Sequence, residues 1–296
     1  MHAPYQRTFR AHAKINLLLR ILAREASGYH GIETVFQRIA LHDLIHVSVG
    51  ETTRTLECEG PSVPIEGLGT PEQNLAWRAA ERYADAARWD TGWQIQIEKH
   101  IPVGGGLGGG SSNAAGVLRA MEAMSPRPLG MDALLELAGT LGADVPFFVC
   151  DTSLALAWSR GDRLLPLKPL APMAVTLVTF EAGVNTAAAY SAFAAARHDA
   201  REPVGAARYP ADMLSCWEAL SRFAANDFER VVPALHAGVA GVLPAVQREA
   251  ARLRAAGTPA IGLLSGSGST CILVHPEDVP VSLMPAYGAL MRTKTA

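Results

Sequence analysis

The sequence predicts an α+β protein of two unequal parts, and three features lead there. Strand-like alternation crowds the first sixty residues, helical patterning follows in blocks instead of alternating with strands, and a glycine-rich turn joins a strand to a helix near the middle. A chain of 296 residues with 49% hydrophobic and 18% charged residues is long and apolar enough to bury a substantial core. No fixed-period repeat breaks it into an array.

His12–Ile21 reads as a half-buried strand. Ala13, Ile15, Leu17, Leu19 and Ile21 fall on one face, and His12, Lys14, Asn16, Leu18 and Arg20 on the other. Further strands are expected at 36–40, 44–49, 55–59 and 93–98, and helices at 74–88, 112–124 and 131–141. Strands return at 154–159, 164–167 and 174–180. Helices are expected at 186–197, 213–224, 228–236 and 239–256. Two last strands, 261–264 and 270–274, flank a second glycine loop, Ser265-Gly-Ser-Gly-Ser269. A division into residues 1–158 and 159–296 fits this order. No role is assigned after His275.

Composition excludes several function classes. A net charge of −2 gives no electrostatic case for nucleic acid or an anionic membrane as partner. The segment 231–246 is interrupted by Pro233, His236 and Pro244 and is too short to span a bilayer, and Met1–Arg7 has no apolar leader character. Cys58, Cys150, Cys216 and Cys271 lie far apart, as expected of free thiols in a reducing cytoplasm. No heptad or single-sign surface marks an assembly, so a monomer or weak homodimer is expected.

The most informative segment is Pro102–Ala115, with six glycines in the seven positions 104–110, followed by Ser111, Ser112 and Asn113. Strand, glycine loop and helix start together aim backbone N–H groups and a helix dipole at one spot, as a phosphate-rich ligand requires. A flexible linker would not run into a well-formed helix. Gly104–Gly109 fits the dinucleotide pattern G-x-G-x-x-G, but strand-rich sequence precedes it in place of a first βαβ unit. The Gly-Lys-Ser/Thr of the Walker loop is absent.

Three other clusters could carry chemistry. Lys14 and Asn16 share a strand face, where a lone lysine would ordinarily be solvated. Asp144, in Leu141-Gly-Ala-Asp-Val-Pro146, is placed either to cap a helix or to act on a substrate. Gly28-Tyr29-His30-Gly31 forms a tight turn, either packed at the surface or offering a platform for a planar ring.

Taken in order, Ala13–Leu17, Gly28–His30, Gly104–Ala115, Leu141–Pro146, Asn226-Asp227 and Leu264–Thr270 resemble the GHMP kinases over nearly the whole chain. The extended glycine run and the Gly-Tyr-His turn are most similar to the branch whose acceptor is a cytidine-diphosphate-linked methylerythritol. The resemblance implies an S5-like N-terminal domain, a ferredoxin-like C-terminal domain, and ATP with Mg2+, whose protein ligands stay unassigned. It implies that Asp144 takes or orients the acceptor's hydroxyl proton, with Lys14 beside it neutralising the transferring phosphoryl group. Asn74, Leu75 and Lys99 would lie on the adenine side. Pro102, Gly104, Gly105, Gly106, Leu107, Gly108, Gly109, Gly110, Ser111 and Ser112 would wrap the phosphates. Asn16, Tyr29, His30, Thr186, Tyr190, Gly266 and Ser267 would hold the acceptor, with cytosine between the two tyrosines and hydrogen-bonded to His30. Three departures stand out: His12 in place of proline, Ser159-Arg-Gly-Asp162 in place of Gly-x-Gly-Glu/Asp, and Leu264 in place of methionine. A kinase for a sugar or short alcohol, and a nucleotide-binding regulator without turnover, are the alternatives on the same scaffold.

Overall fold

The computed structural model describes residues 5–24, 30–200, 210, 212–283 and 288–296. Two sheets carry the chain. The first is built on a long antiparallel pair, β1 (Tyr5–Arg24) and β2 (His30–Glu51), so the separate strands expected at 36–40 and 44–49 are one continuous strand. Around this pair are β3 (Arg54–Glu59), β4 (Gly92–Glu98), β5 (Leu154–Ser159), β6 (Arg163–Pro166) and the short β8 (Ala225–Asn226). The second sheet runs β11–β7–β10–β9, made of β7 (Ala174–Thr179), β9 (Ile261–Leu264), β10 (Cys271–His275) and β11 (Ala289–Lys294). Its pairs are all antiparallel, which is the ferredoxin-like arrangement. The α+β class therefore holds. The C-terminal stretch given no role supplies an edge strand.

Helices cover these sheets: α1 (Leu75–Ala86), α2 (Gly109–Met124), α3 (Met131–Leu141), α4 (Val145–Val149), α5 (Thr186–Ala200), α6 (Trp217–Phe223), α7 (Val232–Leu235) and α8 (Ala237–Ala255). The helix expected over 213–224 is shortened to α6. The one expected over 228–236 is a 3-10 turn, Asp227–Arg230, followed by α7, because Pro233 can sit only in a helix's first turn. Alanine, valine and leucine faces of α1 and α2 pack with Trp93, Ile95 and Ile97 of β4 in one core. A second core joins Ala13, Ile15 and Leu17 of β1 to Val175, Leu177, Ile272 and Val274 of the other sheet, so β1 is shared by both halves.

The hairpin β5–β6 straddles residue 158, the second sheet begins with β7 at Ala174, and β8 returns to the first. Strict alternation along β1 fails. Register shifts between His12 and Lys14, and again between Asn16 and Leu18, break the period of two, and Leu17, Leu18 and Leu19 are all buried. Such bulges bend a strand and re-aim its side chains. Lys14 and Asn16, on the face that alternation leaves to solvent, are 4% and 2% exposed.

Candidate active site

Lys14 occupies the centre of the site. Its Nζ donates to Asn16 Oδ1 at 2.7 Å and to the Gly106 carbonyl at 3.0 Å, and lies 3.5 Å from Asp144 Oδ2. Asn16 is itself oriented: its Nδ2 donates to Thr34 Oγ1 at 2.7 Å, and that hydroxyl donates to the Leu18 carbonyl at 2.6 Å. A buried ammonium is costly unless it is paired and hydrogen-bonded, and these contacts supply both. The solvated strand lysine is thereby excluded. Asp144 stands at the N-terminal end of α4, yet its side chain makes no capping hydrogen bond. It turns toward Lys14 instead and remains 30% exposed, open to a ligand.

The glycine loop is held against β1 by the Lys14 N–H, which donates to the Leu107 carbonyl at 2.9 Å, while the Leu107 side chain is buried in the second core. Two glycines have no substitute. Gly106 has φ +75°, and a Cβ there would stand 2.1 Å from the Ser265 carbonyl of the other glycine loop. Gly108, at φ +73°, caps α2, and its Cβ would meet Phe148 at 2.9 Å and the Lys14 stem at 3.1 Å.

These loops border two cavities. One, of about 350 Å³, is lined by Asn74, Leu75, Lys99, Pro102, Leu107, Asn113 and the run Gly104–Ser111. It collects every residue expected on the nucleotide side except Ser112. That serine faces a small recess on the far side of α2, with His12 and Arg38. Asn74 and Lys99 have structural duties as well. Asn74 Oδ1 accepts from the Ala76 N–H at 2.9 Å, capping α1. The buried Lys99 ammonium is paired with Asp43 and donates to Asn113 Oδ1 at 3.0 Å. Asp43 also accepts from the His100 and Ile101 N–H groups at 2.7 and 2.8 Å. That cluster ties the entry of the glycine loop to α2.

The second cavity, of about 850 Å³, is lined by Lys14, Asn16, His30, Asp144, Thr186, Tyr190, Gly266 and Ser267 among others, which are the residues expected around an acceptor. Tyr29 lies outside the described residues. Gly106 and Gly108 line both cavities, so the two chambers share a wall beside the Lys14–Asp144 pair. The His30 ring stacks on Tyr190 at 5.2 Å and 16°, and the Phe228 ring meets Tyr190 nearly edge-on at 4.9 Å. Burial, and secondarily the charge of Asp144, push the Tyr190 hydroxyl up to about 12.

Four contributors were not assigned roles from the sequence. Asn226 Nδ2 donates to the Leu264 and Gly266 carbonyls at 2.7 and 2.8 Å and so holds the second glycine loop; its place in the motif order was the available signal. The Thr270 N–H reaches the Gly105 carbonyl at 3.2 Å, joining the two loops. Thr34 orients Asn16, which no sequence signal indicates. Arg160 lines the larger cavity from the turn already noted as unusual. Ser159 in that turn has φ +65°, a left-handed conformation for which glycine is the ordinary choice.

A glycine cradle backed by a helix, with a lysine–aspartate pair beside the wall it shares with a second chamber, is the layout of a small-molecule phosphotransferase. Residues 74–152 match the family described as GHMP kinases N terminal domain. The 4-diphosphocytidyl-2-C-methyl-D-erythritol kinase of Kineococcus radiotolerans is 35% identical, covering 98% of this chain and 89% of that protein. Its namesake in Salinibacter ruber is also 35% identical, covering 93% and 97%. A crystal structure of 4-(cytidine 5'-diphospho)-2C-methyl-D-erythritol kinase superposes with a TM-score of 0.69 at 31% identity, over 98% of this chain and 99% of that one. The Methanococcus jannaschii mevalonate kinase, 13% identical with a TM-score of 0.59, shares the fold. The chain belongs to the GHMP kinases and, within them, to the 4-diphosphocytidyl-2-C-methyl-D-erythritol kinase family. Among the described residues, no helix is long and apolar enough to cross a membrane.

Proposed function

We propose that this chain transfers the γ-phosphoryl group of ATP to the 2-hydroxyl of 4-diphosphocytidyl-2-C-methyl-D-erythritol, a step toward isoprenoid precursors. The observation that carries this reading is the Lys14–Asp144 pair, 3.5 Å apart, at the wall shared by the two cavities. ATP would lie in the glycine-lined chamber, its phosphates on the amides of the loop and on the N-terminal end of α2. The acceptor would fill the larger chamber, with its nucleoside end toward His30 and its hydroxyl against Asp144.

In-line transfer forms one bond, from the acceptor oxygen to the γ-phosphorus, and breaks one, from the γ-phosphorus to the β-bridging oxygen. Asp144 takes or orients the departing hydroxyl proton, and ADP leaves with the electron pair of the broken bond. Such a reaction depends chiefly on positioning and on positive potential at the transferring group. Lys14 supplies that potential from a fixed position. Asn16, oriented through Thr34, holds the ammonium and reaches the acceptor. Thr186 and Ser267, whose hydroxyls are 2.8 Å apart, close the chamber from the second half.

Magnesium would arrive on the phosphates of ATP and neutralise part of their charge. Among the described residues, no group of three or more His, Cys, Asp or Glu is placed to hold a metal. An ion held mainly by phosphate and water is the arrangement that goes with this reading.

The test is ADP release by purified protein with each acceptor in turn, with the product's phosphomonoester identified by phosphorus NMR. Turnover is expected only with the cytidine compound. Turnover with homoserine or mevalonate and none with the cytidine compound overturns the assignment.

A further inference from the structure

We propose that Arg160 is the residue that selects acceptors carrying a diphosphate bridge, by placing a guanidinium between the nucleoside end and the hydroxyl end of the larger chamber. The inference rests on the acceptor reading above and assigns a role to a residue outside the lysine–aspartate machinery.

Placement comes first. In the β2–β5 pairing Ser159 stands opposite Ile32, two residues from His30. Gly161, with φ +100°, is also beside Ile32 but approaches Asp144: a Cβ there would come 3.3 Å from Ile32 Cδ1 and 4.0 Å from Asp144 Oδ1. Arg160 is the residue between these two, so its backbone lies along the stretch of wall from Ile32 toward Asp144. The turn is tight, with the Gly161 N–H donating to the Trp158 carbonyl at 3.1 Å. Asp162 aims the side chain: its Oδ1 accepts from the Arg160 N–H at 3.3 Å and its Oδ2 from Nη2 at 3.0 Å. Arg160 lines the chamber while remaining 42% exposed.

Charge comes second. The ionisable side chains lining this chamber include Lys14, His30, Asp144 and Arg160, and Arg160 supplies its guanidinium. Lys14 is committed to Asn16, the Gly106 carbonyl and Asp144 at the transfer point. A diphosphate diester brings two negative charges into the chamber in addition to those of the transferring phosphoryl group, at which Lys14 is already engaged. A planar guanidinium matches phosphate oxygens in a fork that an ammonium cannot reproduce. Asp162 offsets part of the charge, so the contact discriminates among acceptors more than it adds raw affinity.

The experiment compares cytidine with CDP by calorimetric titration, at saturating non-hydrolysable ATP analogue so that CDP cannot occupy the nucleotide cradle. The wild-type protein is expected to bind CDP about tenfold or more tighter than cytidine, the scale of a charge-assisted contact. Arg160→Met should bring the two ligands within about threefold while leaving cytidine affinity unchanged. Arg160→Gln, which keeps the length and polarity of the side chain, serves as the second variant and should give the same collapse. A CDP preference retained in full by either variant, or absent from the wild type, overturns the proposal and leaves the acceptor reading standing. A wild-type protein that binds neither ligand overturns the acceptor reading itself.

Discussion

Replacing Lys14 by methionine tests the centre of the argument, because the side chain keeps its apolar stem and loses only its charge. At 3.5 Å from Asp144 the ammonium feels a gross attraction of about 5 kcal/mol for an effective dielectric near 20. Most of that is offset by the cost of holding a charge at 4% exposure. Asp144, 30% exposed, can be hydrated when its partner is gone, and the Gly106 carbonyl keeps a donor in Ser265 Oγ at 3.1 Å. The folded state should therefore change by only about 1–2 kcal/mol, with Asn16 Oδ1 the acceptor left short. In the transition state nothing replaces the missing charge at the transferring phosphoryl group. A fixed donor of this kind is worth about 10²–10³ in kcat. Steady-state kinetics beside a thermal melt and an ADP titration make the assay: kcat should fall by that factor, while ADP affinity, set by loop amides, stays within about threefold. Unchanged kcat with a lowered melting temperature would show that Lys14 serves only the fold, and the phosphoryl-transfer argument would fail with it.

Other outcomes follow from the same geometry. Asp144→Asn keeps the shape of the chamber and should lower kcat by about 10²–10⁴ with ATP binding retained, read by single-turnover kinetics; full activity would reassign the proton acceptor. Gly106→Ala forces a Cβ toward the Ser265 carbonyl at 2.1 Å, so both glycine loops must separate; ATP affinity and melting temperature should drop together, and an unperturbed variant would contradict the packing. Burial raises Glu229 to about 7, although it accepts from the Leu264 N–H at 2.8 Å and from Gln247 Nε2 at 2.9 Å. The folded protein therefore binds more protons than the unfolded chain between about pH 4.5 and 7, and this group's contribution, full below that window, is lost as pH rises through it, by at most about 3 kcal/mol. Glu229→Gln should flatten that part of the stability–pH curve, measured by denaturant titration; an identical slope would show that the carboxyl carries no such penalty.

Much of the site was legible because its chemistry needs residue types that cannot be exchanged. A loop in which a Cβ at Gly106 would stand 2.1 Å from the Ser265 carbonyl admits only glycine there, so its geometry was written in the composition of residues 104–110. The strands flanking it, and the α+β order, followed from periodicity. Register was not legible. Bulges at 12–14 and 16–18 depend on which residues of β2 stand opposite, and simple alternation left Lys14 on a solvated face that the fold buries. The pairing of β6 back onto β5 across residue 158 was not legible either, since no local pattern shows which strand turns back. Stacking of His30 on Tyr190 depends on how α5 meets the start of β2, which no local pattern encodes.

The two glycine loops are best understood as one device. Gly106 gives its carbonyl to both Lys14 Nζ and Ser265 Oγ, at 3.0 and 3.1 Å, and Thr270 N–H reaches back to the Gly105 carbonyl at 3.2 Å. Gly266 fits against the other side, where a Cβ would stand 3.1 Å from the Gly106 carbonyl and 3.4 Å from Lys14 Nζ. Asn226 then fixes Gly266 and Leu264 from the strand that β1 recruits across the molecule. A shift in either loop must therefore move the ammonium or break its bond to Gly106. That coupling gives a physical reason for β1 to be shared by both cores: the strand carrying the charge holds the glycine loop whose Gly106 and Gly108 line both chambers.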